Sequence, residues 1–166
     1  FLSTCIRIAS LTAEGGKLLT SQQTETAVLA LLLFHFAVGA EWLDSLPPNP
    51  KALHMGGDNK GLMIHMKKDV ANRKHIPPHL KGLMEVIENL IKIVEAKQWK
   101  LDFVHYPKHH PMMREVDAVG RLRAYRTEDE PHLLFPDEVW GAIEQDSKTW
   151  MSMRRRGIPE PLLPRK

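Results

Sequence analysis

The chain has 166 residues, with 23 Lys and Arg against 20 Asp and Glu, so its formal net charge is only +3. That length suits one domain, and Leu, Ile, Val and Phe together are frequent enough to form a core. The single cysteine excludes a disulfide framework and a thiolate zinc cluster within the chain. The small net charge argues against a protein that wraps nucleic acid along its whole surface.

The first twenty residues form an N-terminal segment without a strong structural pattern. Its opening, FLSTCIRI, has no acidic residue and mixes apolar, hydroxyl and basic side chains, as organelle transit peptides and their remnants do. Phe1 and Thr4 also resemble the octapeptide left on some mitochondrial precursors after a first cleavage. An ordinary amphipathic or extended terminus is the alternative interpretation. We expect a mitochondrial protein.

Residues 21–46 are predicted to form a long apolar helix. Thr20-Ser21-Gln22-Gln23 has the pattern of a capping box, and Pro47-Pro48 would end the helix. Residues 26–40 carry no charge, and the segment falls between the lengths typical of buried and membrane-spanning helices. Because its apolar residues surround the helix, we expect it to be membrane-embedded or buried against other subunits. Within it, His35 is interpreted as a packing residue, with haem ligation or proton relay as the alternative.

Residues 47–78 are predicted to be a basic linker rich in Pro and Gly, with a possible helix over 62–73. Gly56 and Gly61 have the spacing of a P-loop, but the Lys and Ser/Thr that such a loop requires do not follow. The basic side chains of this segment and of the C-terminal helix are predicted to contact an anionic partner, either lipid head groups or RNA. These candidate contact residues are Lys60, Lys67, Lys68, Arg73, Lys74, Arg154, Arg155 and Arg156.

Residues 79–166 are predicted to be a helical region with an extended C-terminal tail. Apolar residues over 80–98 recur with helical spacing on one face, and the last helix should begin at Pro136 and end before Gly157. Residues 101–106 and 121–126 could each form a short strand, although periodicity leaves both assignments ambiguous, and a helix is an equal interpretation for 113–123. The fold class expected is therefore mainly α: a long apolar helix, one or two amphipathic helices, a capped C-terminal helix, an extended linker and little or no β structure.

Histidines at positions 105, 109 and 110 are the first candidates for chemistry. Neutral imidazoles bind transition metals, but Pro107 and Pro111 argue against the helix that would align them, and no HExxH pattern is present. We interpret the cluster as a surface feature, with a metal site as the alternative. No catalytic, cofactor-binding or metal-binding residue is assigned, and the chain is not expected to be an enzyme.

These features favour a non-catalytic accessory subunit of a mitochondrial inner-membrane energy-transducing complex, either a respiratory complex or ATP synthase. Its partners would be other subunits and inner-membrane lipid. The alternative is a mitochondrial ribosomal protein in the matrix that contacts rRNA through its basic segments. A small soluble enzyme that uses the histidine cluster is a third hypothesis.

Overall fold

A computed structural model describes residues 19–39, 52–68, 75–124 and 136–165. The described part of the chain forms a helical core with a small parallel sheet at one side. In chain order the elements are α1 (Ser21–Phe34), a π turn (His35–Gly39), β1 (Ala52–Gly57), α2 (Lys60–Lys67), a 3-10 turn (Pro78–Leu80), α3 (Lys81–Ala96), β2 (Lys100–His105), α4 (Pro111–Ala124) and α5 (Asp137–Arg155).

The start of α1 confirms the predicted capping box. The Thr20 hydroxyl accepts a hydrogen bond from the Gln23 amide at 3.1 Å, and the Gln23 side chain accepts one from the Thr20 amide at 3.0 Å. Two backbone N–H groups at the start of α1, which have no partner within the helix, are therefore hydrogen-bonded by neighbouring side chains.

The prediction of a long apolar helix is wrong. The α-helix ends at Phe34 and a π turn ends at Gly39, while residues 40–46 lie outside the described ranges. Within those ranges, no helix combines the length and the apolar character needed to cross a membrane. The helix is also two-sided: Ala30 and Leu33 are fully buried, whereas Val28 and Leu32 are 44% and 39% exposed. It packs on α3 and α5, so the chain covers this helix with its own apolar faces.

The expectation of little or no β structure, with an extended linker, is also wrong. β1 and β2 pair in parallel, with Leu53 opposite Leu101 and Met55 opposite Phe103. Met55 and Phe103 are buried, and α2 packs against both strands. The segment interpreted as a linker thus contains β1 and α2. The two glycines of β1 favour a turn by local propensity, but pairing with a strand far along the chain overrides that preference.

α3 is the amphipathic helix predicted for residues 80–98. Leu83, Ile87, Leu90 and Val94 are buried along one face, as the spacing requires. The start of α3 is capped from another helix: the Asp146 carboxylate of α5 accepts hydrogen bonds from the Gly82 and Leu83 amides, each at 2.9 Å. This cap holds α3 and α5 together.

The C-terminal helix also begins and ends where the sequence predicts. α5 starts directly after Pro136, and Gly157 has a φ of 70° just beyond its end, the left-handed geometry that glycine adopts without steric strain. Residues 113–123, for which a helix was one of two interpretations, are helical, because α4 extends from Pro111 to Ala124.

Candidate functional site

The candidate site lies where β1 ends and α2 begins. Asp58 and Asn59 follow directly after β1, and in open parallel sheets ligands bind at the carboxyl ends of the strands. The Asn59 side chain caps α2 by accepting a hydrogen bond from the Leu62 amide at 3.0 Å, and its amide nitrogen donates to the Glu25 carboxylate of α1. One side chain therefore connects Glu25 to the strand end.

Burial and like charges raise the pKa of Glu25. Desolvation is the largest cause; the hydrogen bond from Asn59 opposes it, and repulsion by Asp58 and Glu160 raises the pKa further. Asp58 is exposed and Glu25 is half-buried, so the carboxyl groups are reachable from solvent. A carboxyl group perturbed by both desolvation and a neighbouring charge, at a strand end, is typical of functional sites.

These carboxylates suit a divalent cation that they share with a ligand. Among the described residues, no group of three or more His, Cys, Asp or Glu side chains is placed to hold a metal ion by itself. Mg²⁺, however, is usually bound by only one or two carboxylates, with water and substrate phosphates completing its octahedron. Glu25 and Asp58 meet that smaller requirement, and Lys60 follows them at the first position of α2.

The predicted anion-contact residues occupy different places. Lys60 is exposed beside the candidate site, and Arg154, Arg155 and Arg156 are exposed at the end of α5. Lys67 and Lys68 line a separate cleft of about 450 Å³ between α2, α3 and β2, which Glu88, Lys92, Glu95 and Asp102 also line. This cleft is balanced in charge rather than basic. Arg73 and Lys74 lie outside the described residues.

The histidines that the sequence singled out are not gathered around one point. His109 is exposed and His105 half-buried, while the His110 ring packs on Tyr106 with centroids 4.8 Å apart. His110 also accepts a hydrogen bond from the Met112 amide at 3.1 Å. In α1's π turn, the half-buried His35 ring meets the ring of Phe36 edge to face.

Sequence reasoning missed Glu25 and Asp58 as site residues. Gly56-Gly57-Asp58-Asn59 matches no ligand-binding motif in the sequence, and Glu25 stands alone just before the uncharged residues 26–40. No local spacing joins them, because Glu25 and Asn59 are 34 residues apart in the chain. The available signal was an acidic residue directly after a strand, which required β1 to be recognised first.

No protein-family model, curated protein or solved structure matches this chain. The functional assignment therefore depends on the geometry around Glu25, Asp58 and Asn59.

Proposed function

We propose that the chain binds a phosphate-containing ligand through a divalent cation held by Glu25 and Asp58. The observation that carries this proposal is the electrostatic repulsion between Glu25 and Asp58, of which Asp58 directly follows a parallel strand. Asn59 supports it, because its bond to Glu25 fixes that side chain beside the strand end. Whether the bound ligand also reacts is a separate question, and the absence of enzymatic activity stays a prediction.

A cation at this point relieves an electrostatic cost that the fold otherwise bears. Glu25 is partly desolvated and is repelled by Asp58, and both effects oppose its ionisation. A divalent cation favours the ionised form of both groups and replaces repulsion by attraction. Cation binding is therefore coupled to proton release from Glu25, and it should weaken as the pH falls through the raised pKa of that group.

The phosphate component follows from the coordination chemistry of the cation. With only two protein carboxylates, most of the positions around Mg²⁺ remain for water and for ligand oxygens, and phosphate oxygens are its usual partners. Lys60 adds a cationic side chain at the start of α2, whose N-terminal dipole also favours an anion. Lys60, predicted as an anion contact, thus has a specific place in the proposal.

Titration of the full chain with Mn²⁺ tests the proposal. Glu25→Gln keeps an oxygen to accept from Asn59, and Asp58→Asn is isosteric, so both variants should fold while losing a charged cation ligand. We expect each to weaken Mn²⁺ binding by about tenfold or more, a change of about 1.4 kcal/mol. Glu144→Gln removes an exposed carboxylate of α5 and is the matched control. Equal affinity in the wild type and all three variants would contradict the proposal.

A specific observation favours a second candidate, a component of a larger assembly. In the described part of the chain the parallel sheet has two strands, so each strand has one edge without a paired strand. Parallel sheets are normally larger and covered on both faces. A strand from a partner would complete the sheet. The inner-membrane complex, the ribosomal alternative and the mitochondrial location all stay predictions.

Native mass measurement of the tagged full-length chain purified from its own cells tests this second candidate. A particle well above 19.0 kDa, with partner proteins present, is expected. A stable monomer at the mass of the chain would contradict it.

A further inference from the structure

The backbone of β2 presents hydrogen-bonding groups on the side away from β1. The Tyr106 amide, directly after β2, donates to the Gly57 carbonyl of β1 at 2.9 Å. Backbone groups of successive strand residues point alternately to opposite sides, so Asp102 faces β1 as Tyr106 does. The N–H and C=O groups of Leu101 and Phe103 therefore point to the open edge of the sheet, where the described part of the chain has no third strand.

The cleft between α2, α3 and β2 lies along this open edge. Three consecutive residues of β2 line it: Leu101, Asp102 and Phe103. A cleft over one face of the sheet would be lined by alternate residues of β2, because successive side chains point to opposite faces. In the described part of the chain, β1 contributes no lining residue. The cleft therefore follows the edge of β2, where the backbone groups of Leu101 and Phe103 lie.

The lining of the cleft combines apolar side chains with a balanced set of charges. Met66, Ile91 and Phe103 are buried, and the half-buried Leu101 lies among them. Such a lining attracts neither a strongly acidic nor a strongly basic ligand, and it suits an uncharged segment that brings apolar side chains. The charged residues are three cations and three carboxylates: Lys67, Lys68, Lys92, Glu88, Glu95 and Asp102.

We propose that the open edge of β2 binds an extended, uncharged segment of a partner protein, which adds to the sheet as a third strand. The inference deepens the second candidate function, a component of a larger assembly. Backbone groups of the segment bond to Leu101 and Phe103, and its alternate apolar side chains pack against Met66 and Ile91. The added strand also supplies partners for the outward backbone groups of Phe103, a residue that is only 4% exposed.

Hydrogen exchange in the free full chain tests whether the edge is open. The amides of Leu101 and Phe103, which point to the edge, should exchange faster than those of Asp102 and Val104, which face β1. Equal protection of all four amides would overturn the proposal, because the edge would then be covered already.

A random seven-residue peptide library displayed on phage supplies the ligand for a binding test. Peptides selected on the full chain should alternate apolar and polar residues and carry little net charge. At ten times its Kd, a selected peptide should slow exchange of the Leu101 and Phe103 amides by about tenfold. Recovery of no peptide above the bare support, or of peptides that leave both amides unchanged, would overturn the proposal.

Methylation of the peptide backbone provides a control that leaves the protein unaltered. One N-methyl group at a residue whose N–H faces β2 should weaken binding by about fivefold or more, since it removes one hydrogen bond. The same group at the next residue, whose N–H points away, should change affinity by less than about twofold. Across the peptide the losses should therefore alternate, and equal losses at every position would contradict strand addition.

Leu101→Pro tests the edge from the side of the protein. Proline removes the N–H that points to the open edge and keeps the ladder to β1, as proline does on edge strands. It should bind a selected peptide about fivefold or more weakly than Leu101→Ala, the matched variant that loses the side chain but keeps the N–H. Equal affinities of the two variants, with circular dichroism unchanged, would contradict the proposal.

The outcomes for this edge and for the larger assembly are distinguishable. A native mass equal to that of the chain alone contradicts the assembly, while exchange and peptide binding still decide whether the edge accepts a strand. Conversely, a large native particle in which the Leu101 and Phe103 amides exchange as fast as in the free chain would support the assembly and overturn the proposed edge.

Discussion

Replacement of Asp146 by Asn should change the pH dependence of stability. Burial raises the pKa of this carboxyl from 3.8 to about 6, and the hydrogen bonds from the Leu83 and Gly82 amides offset burial only in part. A group with a raised pKa stabilises the fold fully below its unfolded pKa, and that contribution is lost as the pH rises through the folded pKa. Asp146 should therefore stabilise the chain least near neutral pH.

The size of the effect follows from the shift. Each pKa unit corresponds to about 1.4 kcal/mol, so ionised Asp146 costs about 3 kcal/mol relative to the protonated form. Asp146→Asn removes this titration and retains one acceptor for the two amides. The wild type should thus lose about 3 kcal/mol of unfolding free energy relative to the variant between about pH 4 and pH 8.

Urea denaturation followed by tryptophan fluorescence measures both proteins across this range. Trp150 lies one turn beyond Asp146 on α5 and reports on the same packing. Glu144→Gln, an exposed change on the same helix, should show the same dependence of stability on pH as the wild type. If the wild type instead gains stability relative to Asp146→Asn as the pH rises, the two amide bonds outweigh burial and the reasoning is refuted.

Two further predictions concern packing. Gly82→Ala should destabilise the chain by about 1–3 kcal/mol, since the new methyl group would lie 2.8 Å from the Asp146 carboxylate. The control Gly141→Ala places its methyl group where nothing lies within 4 Å, so it should be neutral or stabilising. Leu33→Ala should cost about 2–5 kcal/mol because Leu33 is fully buried, against less than about 1 kcal/mol for the 39% exposed Leu32. Urea midpoints check both pairs, and equal effects within either pair would contradict the packing described.

Features set by neighbouring residues were predictable from the sequence. The capping box at Thr20 and the α5 boundaries at Pro136 and Gly157 each depend on a few adjacent residues, and all three are present. The apolar face of α3 also follows from spacing alone. Its partner was not predictable: this face packs on α1, which on its own looked like a helix that only other molecules could bury.

Features set by distant residues were not predictable. β1 has two glycines and becomes a strand only by pairing with β2. The paired residues are distant in the chain: His54 of β1 and Asp102 of β2 are 48 positions apart. The candidate site has the same character, because Glu25 and Asn59 are 34 residues apart in the chain and meet only in the folded protein. Propensity and periodicity carry no information on such contacts.

The central claim is that Glu25 and Asp58 hold one divalent cation. Anomalous diffraction from a crystal of the full chain soaked in Mn²⁺ tests it most directly. The account predicts a peak at the carboxyl end of β1, about 2.1 Å from a carboxylate oxygen of each residue, a peak that Glu25→Gln abolishes. A crystal whose anomalous peaks all lie elsewhere, for example at His109, would contradict the account.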